Sequence, residues 1–133
     1  MPIFVDTLFI VALVNRRDTY HAQATQLSHI LSGQLLLTTD AVLLEIGNAL
    51  SRHHKLEAIA IIDQFLTSPD IEVIRMDADI FTQAFTLYRN YSDKSWGLID
   101  CLSFAVMRNR NVSDALTFDQ HFVQAGFNAL MRP

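Results

Sequence analysis

The alternation of short β-prone runs with longer helical segments is the sequence feature that most restricts the fold. Short apolar runs occur at 3–6, 35–38, 71–74 and 114–117, with a weaker one at 127–131. The segments between them carry apolar residues three and four positions apart, which is the spacing of one helix face. Parallel strands need helical crossovers of this kind. We therefore expect an α/β fold with a central parallel β-sheet of four to five strands flanked by α-helices.

Length and composition set further limits. A chain of 133 residues with half of its residues apolar fits one domain, and we expect residues 1–133 to form it. The single cysteine, Cys101, excludes an intramolecular disulfide framework and suits a reducing cytoplasm. The apolar stretch at 8–14 is much shorter than the roughly 20 residues of a membrane-spanning helix. No membrane association is expected.

Helix start signals place two acidic residues inside helices. Thr39 or Asp40 is predicted to cap a helix that carries Glu45 in its second turn. Asp77 is predicted to cap a later helix. A third helix is expected to begin near residues 96–97, which puts Asp100 in its first turn, where the helix dipole favours a carboxylate.

Four acids lie at the junctions between apolar runs and helices. Asp6 ends the first run, Asp119 lies just beyond the fourth, and Glu45 and Asp100 lie near helix starts. The ends of parallel strands converge on one crevice, so acids distant in sequence become neighbours there. A hard cation stabilises such a cluster of carboxylates. The sequence therefore predicts a Mg²⁺ or Mn²⁺ site.

This site suits the hydrolysis of a phosphodiester, because a divalent metal both activates water and neutralises developing charge. Asp6 and Asp100 are the candidates for direct metal ligands. Glu45, longer by one methylene, reaches the site from its helix. Asp119 is expected to bind a second metal or to position a water. An alternative for Asp119 is that it only caps the helix that follows it.

Smaller polar residues are predicted to support the acids. Thr7 and Thr117 stand beside two of the acids in sequence and are expected to donate hydrogen bonds to carboxylates or metal-bound water. Asn48 follows Glu45 by three residues on the same helix face and is a candidate for orienting that carboxylate.

Several residues near the predicted site are assigned other roles. His53, His54 and His121 are left out of the site, because metal-activated water needs no histidine base. Ser95 is expected to belong to a turn, with an approach to the cleft as the alternative. Trp96 is expected to pack beneath its loop, with stacking on a base as the alternative.

Cationic residues cluster locally although the net charge is −4. Arg16 and Arg17 are adjacent, and Arg52 and Lys55 lie within one short segment. We predict a local basic rim that holds RNA phosphates. The alternative is that these side chains are solvated helix ends.

Six stretches, taken in order and over this length, match a known family. They are Val5-Asp6-Thr7, Leu44-Glu45, Asp93-Lys94-Ser95-Trp96, Ile99-Asp100-Cys101-Leu102-Ser103-Phe104, Leu116-Thr117-Phe118-Asp119-Gln120-His121-Phe122 and Ala125-Gly126-Phe127. The chain resembles the PIN-domain ribonucleases, and among them the VapC-type toxins, along nearly its whole length. The resemblance implies a PIN-like nuclease domain in which Asp6, Glu45, Asp100 and Asp119 are the first to fourth acids of a Mg²⁺ or Mn²⁺ site. In one place the chain departs from the family pattern: Ile99 stands before the third acid, where the family often has a hydroxyl residue.

The function implied is that of an endoribonuclease that cleaves single-stranded or loop RNA with metal-activated water, as the toxin of a type II toxin–antitoxin pair. The resemblance also implies a small antitoxin partner and a homodimer. Two alternatives stay open: a non-catalytic PIN-like binding or assembly module, and a DNA-directed metal nuclease. Replacing Asp6 by alanine separates catalysis from a structural role, because only a catalytic acid would be lost without unfolding.

Overall fold

A computed structural model describes residues 1–133 as five strands and seven helices. The strands are β1 (Ile3–Val5), β2 (Leu36–Thr39), β3 (Ile71–Ile74), β4 (Asp114–Leu116) and β5 (Asn128–Ala129). The helices are α1 (Thr7–Val14), α2 (His21–Ile30), α3 (Asp40–Leu50), α4 (Lys55–Thr67), α5 (Ala78–Asn90), α6 (Leu98–Asn109) and α7 (Gln120–Gln124). None of these helices combines the length and the apolarity that a membrane-spanning helix needs.

The strands form one parallel sheet in the order β3-β2-β1-β4-β5. Phe4 of β1 pairs with Leu37 of β2 on one side and with Ala115 of β4 on the other. The predicted α/β fold is confirmed, including the weak fifth strand. The chain winds outward in both directions from β1, so the carboxyl ends of β1 and β4 flank a topological switch point, where open α/β sheets bind their ligands.

The core explains why β1 occupies the centre of the sheet. All three residues of β1 are buried, as a strand covered on both faces requires. Phe104 of α6 is fully buried and packs edge-on against Phe122, with 5.0 Å between the ring centroids. Trp96 packs edge-on against Phe104 at 5.1 Å, and its Nε1 donates to Gln124. Trp96 is only 5 % exposed, so the predicted packing role is confirmed and the base-stacking alternative is wrong.

The predicted helix starts are also present. Thr39 caps α3, because its Oγ1 accepts from the backbone N–H of Val42 at 3.1 Å. Asp40, the other predicted cap, accepts instead from the backbone N–H of Met76. Asp77 caps α5, and α6 begins directly after Gly97. Glu45 consequently lies in the second turn of α3 and Asp100 in the first turn of α6.

Candidate active site

Asp6 is held at the switch point by its neighbours on β4. It follows β1 directly and is 6 % exposed. Its backbone N–H donates to the carbonyl of Leu116 at 3.3 Å. The hydroxyl of Thr117, which is fully buried, donates to Oδ2 of Asp6 at 2.7 Å. These contacts fix the Asp6 carboxylate at the carboxyl end of the central strand.

Burial makes ionisation of Asp6 costly. Loss of solvent raises the pKa of Asp6 to about 7, and the negative charges of Asp100 and Glu45 raise it further, while the hydrogen bond from Thr117 opposes the change. A buried acid beside other acids is a feature of functional sites, because structure alone gains nothing from it. A cation bound here would stabilise the ionised form.

Glu45 reaches the same region from α3. Its Oε1 accepts a hydrogen bond of 2.7 Å from the hydroxyl of Thr7, the first residue of α1. Burial raises the pKa of Glu45, the Thr7 hydrogen bond lowers it, and the charge of Asp100 raises it. Asn48 is exposed and makes no hydrogen bond to Glu45, so the orienting role predicted for Asn48 is wrong. Thr7, on the neighbouring helix, supplies that contact instead.

Asp100 and Asp119 meet around a histidine. Nδ1 of His121 lies 3.2 Å from Oδ2 of Asp100 and 3.4 Å from Oδ1 of Asp119. One ligand atom from each of the three residues lies within 4.8 Å of the others. Nε2 of His121 lies 3.1 Å from the hydroxyl of Ser95, so Ser95 approaches the cleft through this histidine. Leaving His121 out of the site was therefore wrong.

A local signal could have found His121. Asp119 caps the short helix α7, because its Oδ1 accepts from the backbone N–H of His121 at 2.9 Å. An aspartate cap folds the chain back on itself, which brings the side chain two residues later towards the same carboxylate. Asp119 thus acts as a cap and also lies in the acidic cluster. The two readings of Asp119 that the sequence left open are compatible.

Thr117 links the two halves of the site. Its hydroxyl donates to Asp6 and accepts from the backbone N–H of Asp119 at 3.1 Å. Asp100 accepts from the backbone N–H of Gly97 at 3.0 Å. Ile99, which replaces the usual hydroxyl residue, is half-buried and packs against the core.

The acids do not form one compact group of four. Asp100, Asp119 and His121 form the tight group, whereas Asp6 and Glu45 lie outside it and interact with Asp100 through charge. Carboxylate oxygens are the ligands that Mg²⁺ and Mn²⁺ prefer, and the single imidazole is compatible with Mn²⁺ and other transition metals. The donor set therefore fits a divalent metal at this edge of the sheet.

The four cationic residues predicted as an RNA rim separate into two sets. Arg16 and Arg17 are exposed and line a concavity of about 620 Å³. Arg52 and Lys55 are exposed as well but do not line it. Residues between these two, His53 and His54, occupy the opposite wall.

Fold and site together define an α/β protein whose acidic cluster lies at the switch point of a five-stranded parallel sheet, in a form suited to divalent metal. The sequence matches the family described as PIN domain over residues 3–128, and the chain belongs to this family.

Named relatives agree with the family. The chain is 32 % identical over 125 residues to the 23S rRNA-specific endonuclease VapC20 of Mycobacterium tuberculosis, which covers 94 % of this chain and 95 % of that protein. The crystal structure of VapC20, described as a sarcin–ricin loop cleaving toxin, superimposes with a TM-score of 0.86 over 98 % of this chain and 99 % of that one. VapBC2 from Rickettsia felis, bound to a DNA fragment from its promoter, shares the fold at 17 % identity, with a TM-score of 0.67 over 97 % of this chain and 96 % of that one.

Proposed function

We propose that this protein is a metal-dependent endoribonuclease and the toxin of a toxin–antitoxin pair. The observation that carries the proposal is the convergence of Asp6, Glu45 and Asp100, whose charges raise the pKa of the buried Asp6 carboxyl together with its burial. Support comes from VapC20, whose name gives 23S rRNA as its substrate and which aligns with nearly the whole chain.

Loop RNA is the proposed substrate class. VapC20 is described as cleaving the sarcin–ricin loop, and its structure superimposes closely on this one. We therefore propose a loop of ribosomal RNA as the substrate of this protein. A ribosomal substrate would place the enzyme in the cytoplasm.

The residues divide the work as follows. Asp100, Asp119 and His121 would hold a Mg²⁺ or Mn²⁺ ion, with Asp6 and Glu45 facing it from the side of α1 and α3. A divalent ion bound there would lower the pKa of water and neutralise charge on the phosphate. Thr117 keeps the Asp6 carboxylate oriented, and Thr7 does the same for Glu45.

Cleavage of matched RNA and DNA hairpins tests the proposal. Purified protein is incubated with a hairpin of the sarcin–ricin loop sequence, as RNA or as DNA, in Mg²⁺, Mn²⁺ or EDTA. We expect cutting of RNA in metal only, and none by Asp6→Ala that retains its circular dichroism spectrum. Cutting of DNA at the same rate would indicate a DNA-directed nuclease. A folded wild type that cuts neither hairpin would contradict the enzymatic proposal.

Partners follow from the same proposal. An antitoxin and a homodimer are proposed because VapC20 is described as a toxin. Light scattering of the purified chain gives its mass in solution. Co-expression with the product of an adjacent short gene, followed by the RNA cleavage assay, tests for neutralisation.

A further inference from the structure

Two helices lead from the acidic site to the concavity that Arg16 and Arg17 line. The first residue of α1, Thr7, donates to Glu45 in the middle of α3. Beyond the other end of α1 come the two arginines, and beyond the end of α3 comes His53. The two helices therefore run side by side in the same direction, from the acids to the concavity.

The concavity is built mainly from polar and cationic groups. Its volume is about 620 Å³, and only one of its seven lining residues is hydrophobic. Those residues are Val14, Asn15, Arg16, Arg17, His53, His54 and Glu57. The one carboxylate, that of Glu57, lies 3.1 Å from Nδ1 of His54. No other acid lines the walls, so the arginines face the cavity without a counter-charge.

Structural roles do not account for these arginines. Neither Arg16 nor Arg17 takes part in an ion pair. The arginines whose side chains donate hydrogen bonds within the protein are Arg108, Arg110 and Arg132. Two unpaired guanidinium groups at one concavity, in a protein of net charge −4, select for an anion.

We infer that this concavity, which we call the basic pocket, is a subsite for the phosphate backbone of the RNA substrate, an inference that rests on the proposed ribonuclease function. Guanidinium groups bind phosphate oxygens through paired hydrogen bonds. The eight residues of α1 rise about 1.5 Å each, so the basic pocket lies about 10 Å from the acids. The phosphate that it holds belongs to a neighbouring nucleotide and not to the bond that is cut.

The pocket also narrows the RNA rim predicted from sequence. Arg16 and Arg17 are the residues assigned to the subsite, whereas Arg52 and Lys55 lie outside its lining. His53 and His54 join the subsite as hydrogen-bond donors on its opposite wall.

Salt-dependent RNA binding tests the inference. Fluorescence anisotropy measures the affinity of a labelled sarcin–ricin loop RNA hairpin in EDTA, which prevents cleavage. The variants are Arg16→Gln, Arg17→Gln and their combination, and the control is Arg89→Gln, an exposed arginine on α5 that lies over the ring of Phe85. All substitutions are at the surface, and thermal melting checks that each variant folds.

We expect each pocket variant to weaken binding about tenfold, because a charge-assisted hydrogen bond to phosphate is lost. The slope of log affinity against log salt should fall by about 0.7 for each lost phosphate contact on a single strand. The control should match wild type in both. In Mn²⁺, the pocket variants should raise KM for RNA cleavage more than they lower kcat.

Three results would overturn the inference. Wild-type affinity and salt slope in the double variant would show that the arginines do not meet RNA. An unchanged KM with a lowered kcat would show that they act on the chemical step. Binding of a poly-glutamate peptide that the same substitutions weaken as much as RNA would assign the pocket to an acidic peptide. Failure of the proposed function is distinguishable, because wild type itself would then leave the RNA uncut in metal.

Discussion

Replacing Asp6 by asparagine should stabilise the metal-free protein while abolishing cleavage. Asparagine has nearly the same shape as aspartate, and its carbonyl oxygen can still accept the hydrogen bond that Thr117 donates to Asp6. The substitution therefore removes a buried charge without leaving the buried Thr117 hydroxyl unpaired. In the wild type, that charge is costly because Asp6 is 6 % exposed and faces the charges of Asp100 and Glu45.

The magnitude follows from the change in the pKa of Asp6. Folding raises this pKa from its ordinary value of 3.8 to about 7, so the folded protein keeps a proton that the unfolded chain has lost. The free energy of unfolding of the metal-free wild type should therefore fall as the pH rises from about 4 to about 7, and level off above. Complete ionisation corresponds to an upper limit of about 4 kcal/mol.

Urea unfolding in EDTA, at a series of pH values from 4 to 8, measures this effect. Asp6→Asn should gain up to about 4 kcal/mol over wild type between the two ends of the series. The control is Asp63→Asn, which removes the same charge from an exposed position on α4 and should follow the wild-type curve. Parallel curves for Asp6→Asn and wild type would refute the claim that a buried Asp6 charge destabilises the metal-free site.

Three further changes test the rest of the site. Asp100→Asn should abolish cleavage and raise metal-free stability at pH 8 by about 1 kcal/mol, since it removes a charge that acts on both Asp6 and Glu45; urea unfolding in EDTA would contradict this if the variant were less stable. His121→Ala should weaken Mn²⁺ binding by about tenfold or more in isothermal titration, and an unchanged affinity would remove His121 from the metal site. Thr117→Val should lower stability by about 1–3 kcal/mol in urea unfolding, because Asp6 loses its buried hydrogen-bond donor, and a loss below about 0.5 kcal/mol would show that this bond is unimportant.

The sequence predicted the parts of the fold and site that depend on repeating patterns. The alternation of runs and helices gave the parallel sheet, and the helix caps Thr39 and Asp77 are where their residue types predict them. Asp6 and Asp119 follow the two strands at the switch point, so their convergence depends only on strand order, which parallel crossovers restrict.

Features that depend on side-chain direction could not be predicted in this way. Asn48 shares a helix with Glu45, yet Thr7 of a different helix makes the contact, because the choice depends on how α1 packs against α3. His121 joins the cluster because the Asp119 cap turns the chain. Arg16 and Arg17 face a concavity whose opposite wall comes from the start of α4, and nothing in the local sequence specifies that wall.

The central claim is that the acidic cluster at the switch point binds a divalent metal that RNA cleavage requires. The most direct measurement is the rate of cleavage of the RNA hairpin as Mn²⁺ is titrated into metal-free protein, for wild type and for Asp100→Asn. The account predicts a rate that rises with Mn²⁺ and saturates for wild type, and no cleavage above background for the folded variant. Equal rates for the two proteins, or a wild-type rate that does not depend on Mn²⁺, would contradict it.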